Sequence, residues 1–133
     1  MSVESTNKVM THYWNPGHSE VGVMAEAVVS RVMAGGQEYH TPAGVLGMLN
    51  YFYHIAFEAG ATPSNLVVAD GRAVWEGDFH GKHIGEFAGI PATGKEVRVP
   101  LCVVYNLEND KITHGRVYFE IPALLQQLEM KSG

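Results

Sequence analysis

Residues 73–83 read AVWEGDFHGKH, and apolar and polar side chains alternate along this stretch with a period of two. Trp75 and Phe79 lie on one side of the alternation, whereas Glu76 and Asp78 lie on the other. A period of two is typical of a β-strand that has one face in a protein core and the other in water. We therefore predict a long strand that belongs to a sheet with one buried face.

Turn signals on both sides of this strand join it to further strands. Asp70-Gly71 is a tight-turn dipeptide, and Asn65–Ala69 before it is a second predicted strand. After a loop, residues 97–105 alternate again, and Asn109-Asp110 turns the chain into a last strand over Lys111–Glu120. Strands that follow one another through short turns predict an antiparallel sheet.

The first part of the chain is predicted to be mostly helical. Residues 5–15 form a short helix, and a second helix begins at Ser19 with Met24 and Val28 on its apolar face. A first strand is predicted to follow from Val29. Helices that precede antiparallel strands indicate an α+β fold in which helices lie on one side of a curved sheet.

A third helix is predicted over residues 42–59, between a start at Thr41-Pro42 and a stop at Gly60. Its polar side chains form one narrow stripe of residues spaced four apart: Asn50, His54 and Glu58. A helix with so little polar surface must be covered from several directions. We expect it to pack on the sheet beside other helices or a partner chain.

Composition limits the classes of protein to which the chain can belong. It has 133 residues, 46% of them hydrophobic and 17% charged, with a formal net charge of -5 and one cysteine, Cys102. These values are typical of one small globular domain over residues 1–133, and they argue against a membrane span, a nucleic-acid partner and an internal disulfide. We expect a soluble, cytoplasmic domain that is either a compact enzyme or a binding module.

Between the predicted strands, residues 81–95 read GKHIGEFAGIPATGK. This string resembles the GTHTGEF-GIPPTGK signature of the SnoaL-like polyketide cyclases, in the nuclear-transport-factor-two-like superfamily. Shorter matches keep the same order at Val68–Gly71, Lys111-Ile112 and Tyr118–Glu120, so the resemblance covers residues 65–129. The string is specific for the family and not for a reaction, because this fold hosts many activities.

The resemblance implies a cone: a strongly bent antiparallel sheet wrapped around three N-terminal helices, with a mostly apolar pocket inside and a short C-terminal helix. It also implies a homo-oligomer and a cofactor-free acid/base enzyme acting on a small apolar carbonyl compound. The implied reaction is proton abstraction followed by intramolecular aldol cyclisation or isomerisation. The family's acid/base carboxylate falls on Glu120, where the family usually has Asp.

Four polar side chains share one face of the last predicted strand by alternation: His114, Arg116, Tyr118 and Glu120. That face lies either in solvent or, as the resemblance implies, inside the cone. Glu120 is then the predicted base, because a carboxyl group among aromatic rings has a raised pKa. His83 or His114 is the predicted helper, and Arg116 or Tyr118 is the predicted donor to the enolate oxygen.

The aromatic side chains predicted to line the pocket are Trp14, Trp75, Phe79 and Tyr118. Rings of this kind suit a flat, ring-bearing or polyene ligand. The seven histidines are scattered, and His80 and His83 face opposite sides of a strand. We therefore expect neither a metal site nor a cofactor.

Two other functions stay open. One is a small-molecule-binding domain without turnover, which could have Glu120 in solvent, whereas an enzyme needs Glu120 inside the pocket. The other is an epoxide hydrolase of the limonene type, which needs a second carboxylate beside Arg116, with Asp78 the nearest candidate. Because so small a domain leaves apolar strand surface uncovered, we also predict a homodimer through the outer face of the sheet.

Overall fold

The computed structural model describes residues 1–14 and 21–129. Within them the helices and strands are α1 (Val3–Trp14), β1 (Met24–Val32), β2 (Gln37–His40), α2 (Thr41–Asn50), β3 (Phe57–Ala69), β4 (Arg72–His83), β5 (Glu96–Glu108), β6 (Lys111–Phe119) and α3 (Ile121–Glu129). A 3-10 turn at Val21–Val23 precedes β1, and a π turn at Tyr51–Ile55 follows α2. The strands form a six-stranded sheet in the order β2-β1-β6-β5-β4-β3.

Strands β3 to β6 form the predicted antiparallel succession of long hairpins. Gly71 has a φ of 71°, and Asn109 and Asp110 have φ values of 51° and 62°. Glycine, asparagine and aspartate adopt such left-handed conformations in tight hairpin turns. Both predicted turns are therefore confirmed, and β3 begins at Phe57 rather than at Asn65.

Helix α2 begins as predicted and ends earlier. The Thr41 hydroxyl accepts a hydrogen bond from the Gly44 N–H at 3.3 Å. At the other end, the Ala56 N–H donates to the carbonyl of Tyr51 at 2.7 Å, five residues back, as in a π turn. Strand β3 begins at Phe57, because pairing with β4 satisfies the backbone groups that a longer helix would have satisfied internally.

The polar stripe predicted along this helix is wrong in its last member. Asn50 and His54 are exposed on the helical segment, but Glu58 lies on β3 in register with Lys82. Gly60 lies within β3 and does not stop a helix. A short apolar run fits a buried helix and a buried strand equally well, and here the pairing with β4 decides between them.

The second predicted helix is also wrong, because Met24–Val32 forms strand β1. Met24 and Val28 are both buried, and a spacing of four suits one face of a helix. Two residues four apart also share one face of a β-strand, whose period is two, so the same spacing fits β1. Ser19, the predicted cap, lies outside the described residues.

Side chains on the inner face of the sheet form the core together with α1 and α2. The alternating residues of β4 and β5 that were predicted to share the apolar face are buried, among them Trp75, Phe79, Val99 and Tyr105. Strand β1 runs parallel to β6, so the sheet is mixed rather than wholly antiparallel. The predicted α+β cone is confirmed, with α1 and α2 as its described N-terminal α-helices.

Residues 84–95 fold back as a loop beside the end of α2. Phe87 and Ile90 exchange two backbone hydrogen bonds of 3.0 and 2.8 Å. The Tyr51 hydroxyl donates to the carbonyl of Glu86 at 2.7 Å, and the Tyr51 ring stacks against Phe87 at 6.5 Å. These contacts join the loop to the π turn that ends the helix.

Candidate functional site

A cavity of about 60 Å³ lies between the inner face of the sheet and the helices. Seven of its lining side chains are aromatic: Tyr13, Phe52, Tyr53, Trp75, Phe79, Tyr105 and Phe119. The other described lining residues are aliphatic, apart from Ser30 and Met48. Concave, mostly apolar sites with a few polar groups are the usual places where proteins bind small molecules.

The aromatic walls are rigid because the rings pack against one another. Phe79 contacts Phe119 with ring centroids 5.1 Å apart, and Tyr13 contacts Tyr105 at 5.7 Å, both in edge-to-face geometry. Such pairs contribute about 0.5–1.5 kcal/mol each beyond the area that they bury. The cavity therefore has a defined shape that does not depend on a ligand.

Three tyrosines bring phenol groups to the cavity from α1, the π turn and β5. Burial raises the pKa of Tyr53 to about 12. Burial and then the nearby Tyr53 phenol raise the pKa of Tyr13, and burial and then Tyr13 raise the pKa of Tyr105 well above its usual value. All three phenols therefore keep their protons at neutral pH and can form hydrogen bonds with an oxygen atom of a ligand.

Ser30 and Met48 add a polar contact to the cavity wall. The Ser30 hydroxyl donates to the Met48 sulfur at 3.9 Å. A thioether is a weak acceptor, so a ligand oxygen could replace it as the partner of this hydroxyl at little free-energy cost. Ser30 lies on β1, where the sequence predicted the helix-to-strand boundary, and so it was not among the predicted site residues.

No Asp, Glu, His, Lys or Arg is among the described residues that line the cavity. Its hydrogen-bonding groups are neutral hydroxyls and an indole, and its other atoms are apolar. Such a lining suits a molecule that is mostly apolar and carries one or two hydrogen-bond acceptors.

Glu120 is exposed and lies outside the cavity, so the prediction that its face lies inside the cone is wrong. Val117 and Phe119 line the cavity instead, because alternation allows β6 only one inner face and these apolar side chains occupy it. The Glu120 carbonyl accepts the N–H of Leu124 at 3.1 Å. Glu120 therefore begins the first turn of α3.

The other polar side chains of that strand also lie on its outer face. Tyr118 is 44% exposed, and His114 is exposed with its Nδ1 3.3 Å from the Thr113 hydroxyl. Arg116 donates through Nη2 to Oδ1 of Asn106 at 3.0 Å. The predicted placement of His114, Arg116 and Tyr118 in the pocket is therefore wrong for the same reason.

His83 is fully buried but does not line the cavity. Its Nδ1 accepts the Thr93 N–H at 3.2 Å and lies 2.9 Å from the Thr93 hydroxyl. A ring nitrogen that accepts a backbone N–H is unprotonated, so the neutral ring carries its proton on Nε2. The ring packs on Phe57 at 5.2 Å, and Phe57 packs on the cavity-lining Phe79. His83 thus ties the end of β4 to the loop.

The predicted aromatic residues divide between the cavity and its surroundings. Trp75 and Phe79 line the cavity. Trp14 does not line the cavity. Its ring contacts that of the lining residue Tyr105, with centroids 6.1 Å apart. Tyr105 ends the alternation of residues 97–105, and following that alternation to its last member would have identified it.

The carboxylate–arginine arrangement of an epoxide hydrolase is not formed at the predicted residues. Asp78 pairs with Arg98 at 2.9 Å on the outer face of the sheet. In the β4–β5 ladder it lies opposite Pro100, whereas Arg116 lies opposite Val104 in the β5–β6 ladder. Asp78 therefore does not stand beside Arg116.

Among residues 1–14 and 21–129, no group of three or more His, Cys, Asp or Glu side chains could hold a metal ion. His80 and His83 face opposite sides of β4: His80 bonds the Thr62 hydroxyl at 2.8 Å, and His83 is buried. No helix in this described part of the chain is long and apolar enough to cross a membrane.

The fold and the loop at residues 81–95 agree with one known family. The family model of the SnoaL-like polyketide cyclases matches residues 6–128. No curated protein sequence matches the chain.

Several solved structures share the fold at low sequence identity. A candidate SnoaL-like polyketide cyclase from Jannaschia sp. CCS1 is 14% identical with a TM-score of 0.85, over 97% of this chain and 94% of that one. TsrD from Streptomyces laurentii is 20% identical with a TM-score of 0.75, over 95% and 96%. A ketosteroid isomerase-like protein from Catenulispora acidiphila, in complex with trimethylamine, is 16% identical with a TM-score of 0.72, over 95% of each chain.

Proposed function

The chain belongs to the SnoaL-like polyketide cyclase family, and on this premise we propose that it binds a small, mostly apolar molecule inside the cone. The ligand carries a carbonyl or similar oxygen atom that accepts hydrogen bonds. The observation that carries the proposal is the aromatic cavity with its three protonated phenols, contributed by Tyr13, Tyr53 and Tyr105. An apolar ligand gains affinity from the walls, and its oxygen is recognised by the hydroxyls.

The volume of the cavity limits the size of the ligand. At about 60 Å³ it is well below the roughly 150 Å³ of an engineered protein cavity that binds benzene. The flat, ring-bearing or polyene ligand suggested by the sequence is therefore too large for the cavity as it stands. A ligand of a few non-hydrogen atoms fits this cavity better than a ring-bearing or polyene ligand does. The trimethylamine bound to the Catenulispora acidiphila protein of the same fold is a molecule of that size class.

Binding is supported better than proton abstraction by the groups that line the cavity. A cyclase-type reaction needs a base within hydrogen-bond reach of the proton that it removes. The phenols of the cavity have pKa values above the usual tyrosine range, which makes them poor bases at neutral pH. Glu120 is exposed, and His83 does not line the cavity but packs on Phe57, which packs on the lining residue Phe79. Turnover with Glu120, His83 or His114 as acid/base group is therefore our second hypothesis.

The proposal is tested by titrating the isotope-labelled protein with acetone, butanone, cyclohexanone and trimethylamine and following backbone amide shifts by NMR. We expect a small ketone to shift amides around the cavity, and cyclohexanone to bind more weakly than butanone. Tyr105→Phe should weaken ketone binding roughly two- to tenfold, because it removes one neutral hydrogen bond. Tyr118→Phe makes the same chemical change on the outer face and should leave binding unchanged.

Two results would reject the proposal. One is that none of the four probes shifts an amide next to the cavity. The other is that Tyr118→Phe or Glu120→Gln weakens ketone binding as much as Tyr105→Phe does, because the ligand then lies on the outer face. In the second case the acid/base hypothesis on Glu120 replaces the binding proposal.

Self-association and a cytoplasmic location stay predictions. The homodimer was expected from an apolar outer sheet face, but that face carries Arg98, Arg116 and Glu76 among its side chains. Its composition therefore gives less support to a dimer than the sequence suggested. Light scattering at micromolar concentration distinguishes a monomer of 14.5 kDa from a dimer.

A further inference from the structure

All four arginines of the chain lie on the outer face of the sheet: Arg31, Arg72, Arg98 and Arg116. Each alternates along its strand with side chains that face the core or the cavity. The chain as a whole has a net charge of -5. The same face also carries carboxylates, among them Glu38, Glu58, Glu76, Asp78 and Glu96, so positive charge is concentrated only where two arginines are adjacent in the sheet.

Two of these arginines are direct neighbours. Arg31 of β1 and Arg116 of β6 occupy paired positions in the parallel ladder. Their side chains leave the same face of the sheet at about one strand spacing, roughly 4.8 Å. Like charges directly opposite each other in a sheet destabilise it. The pair is thus an unfavourable arrangement for the sheet alone.

Neither arginine of this pair has a carboxylate within ion-pair distance among the described residues. Arg116 donates to the neutral amide oxygen of Asn106 at 3.0 Å. Glu38 lies opposite Arg31 in the β1–β2 ladder, but its carboxylate contacts Nε2 of His40 at 3.3 Å instead. Glu38 is therefore the acidic residue nearest to the pair in the ladder, but neither guanidinium forms an ion pair with it or with another described carboxylate.

Further proton donors border the pair. Asn106 lies in register with Arg72 of β4 on one side and His114 of β6 on the other. Tyr118, two residues after Arg116 on the same face, is 44% exposed. The His114 imidazole and the Tyr118 phenol therefore flank Arg116 on β6, whereas Arg72 lies two strands away.

Arg98 provides an internal contrast. It lies on the same face, but its Nε donates to Asp78 at 2.9 Å. Among the described residues, Arg98 thus forms an ion pair with a carboxylate, whereas Arg31 and Arg116 form none.

From this arrangement we infer that Arg31 and Arg116 together bind an oxyanion, a phosphate or carboxylate group of a small molecule, on the outer face of the sheet. Guanidinium groups match phosphate and carboxylate oxygens with two parallel hydrogen bonds, which a lysine ammonium cannot do. An anion between the two groups also removes their mutual repulsion. The inference is independent of the cavity, which lies on the opposite face.

The test compares thermal unfolding and NMR titration in inorganic phosphate, in acetate and in chloride at constant ionic strength. Phosphate stabilises proteins in general by exclusion from their surface, so a matched control is essential. Arg31→Gln removes one member of the pair, and Arg98→Gln removes the arginine that already has a carboxylate. We expect Arg31→Gln to weaken binding roughly tenfold, whereas Arg98→Gln leaves it unchanged.

A second readout separates binding from a structural role. In chloride, Arg31→Gln should have a melting temperature close to that of the wild type, because it removes both the repulsion from Arg116 and the attraction to Glu38. In phosphate, it should lose the additional rise in melting temperature that the wild type and Arg98→Gln share. Binding of phosphate but not acetate identifies a phosphate group as the ligand, and the reverse identifies a carboxylate.

Three outcomes would overturn the inference. The first is an equal rise in melting temperature for all three proteins in phosphate. The second is that neither phosphate nor acetate shifts the Arg31 or Arg116 side-chain signals. The third is a wild-type dimer that Arg31→Gln converts to a monomer in chloride, because the pair then binds a carboxylate of a second copy.

Discussion

The two faces of the sheet differ in how they satisfy their polar groups. On the inner face, Trp75 and Phe79 lie among other rings, and the phenol of Tyr105 is buried with them. On the outer face, Arg98 pairs with Asp78 in solvent. The inner face therefore offers a few hydroxyls in an apolar setting, where each hydrogen bond counts for more than in water. The proposed recognition of a small apolar molecule therefore belongs to the inner face.

The largest difference between the faces should appear in stability. Phe79→Ala removes a ring that packs against Phe57, Tyr53 and Phe119, and we expect it to lower the free energy of unfolding by about 3–5 kcal/mol. Tyr118→Ala on the outer face should lower it by less than about 1 kcal/mol. Urea denaturation of both variants measures the difference. Equal losses would show that the two faces are not distinct in packing.

Alkaline pH should destabilise the protein through the inner face. Burial raises the pKa of Tyr53 from 10.0 to about 12, so in this range the unfolded chain loses a proton that the folded chain keeps. The stabilisation is complete below pH 10 and is lost as the pH rises through 12. Tyr53 alone should lower the free energy of unfolding by roughly 1.4 kcal/mol per pH unit in this window, and Tyr13 and Tyr105, whose pKa values are also raised, should add to the fall.

Denaturation curves at increasing alkaline pH check this expectation. Tyr53→Phe should make the pH dependence shallower, whereas Tyr118→Phe, on the outer face, should not change it. A slope that is the same in all three proteins would mean that the buried phenol does not control alkaline stability.

Two histidine–threonine pairs allow a finer comparison of the faces. Thr93→Val removes the hydroxyl beside the buried His83, and we expect a loss of about 0.5–1.5 kcal/mol in the free energy of unfolding. Thr62→Val removes the hydroxyl beside the half-buried His80, in a hydrogen bond that solvent reaches and where water can replace it. The second loss should therefore be the smaller one in chemical denaturation. The reverse order would contradict the view that His83 and Thr93 fix the loop.

The smallest effect is expected at Glu120. Its carboxylate is exposed at the start of α3, where a negative charge stabilises a helix by about 0.3–1 kcal/mol. Glu120→Gln should lower stability by no more than that and should leave ketone binding unchanged in the NMR titration. If this variant lost binding or turnover, the active site would include Glu120, the residue that the family resemblance implied.

The sequence predicted β4, β5 and β6 well because each shows a clear period of two, but it missed β2 and assigned most of β1 and the start of β3 to helices. The alternation around Trp75 and Phe79 therefore located the inner face of β4 correctly. Alternation alone does not say which face of β6 is inner, and the resemblance favoured Glu120 over the apolar Phe119. Side-chain polarity would have identified the inner face of β6 correctly, because burying Phe119 is favourable and burying a carboxylate is costly.

Other parts of the site depended on contacts far apart in the sequence. Ser30 reaches the cavity because β1 pairs with β6, a parallel pairing that no local pattern indicates. Tyr53 faces the cavity from a π turn whose position is set by the loop at Glu86 and Phe87. Such residues could not be assigned from periodicity, since tertiary pairing determines where the helix ends and the strand begins.

The central claim is that the interior cavity, and not the face of β6 that carries Glu120, binds the small apolar ligand. Its most direct test is the crystal structure of the protein pressurised with xenon, an apolar atom that enters protein cavities without needing a known ligand. We expect xenon density inside the cone, in contact with Phe79, Val117 and Tyr53. A structure in which the cone holds no xenon, or in which xenon binds only on the outer face beside Tyr118, would contradict the account.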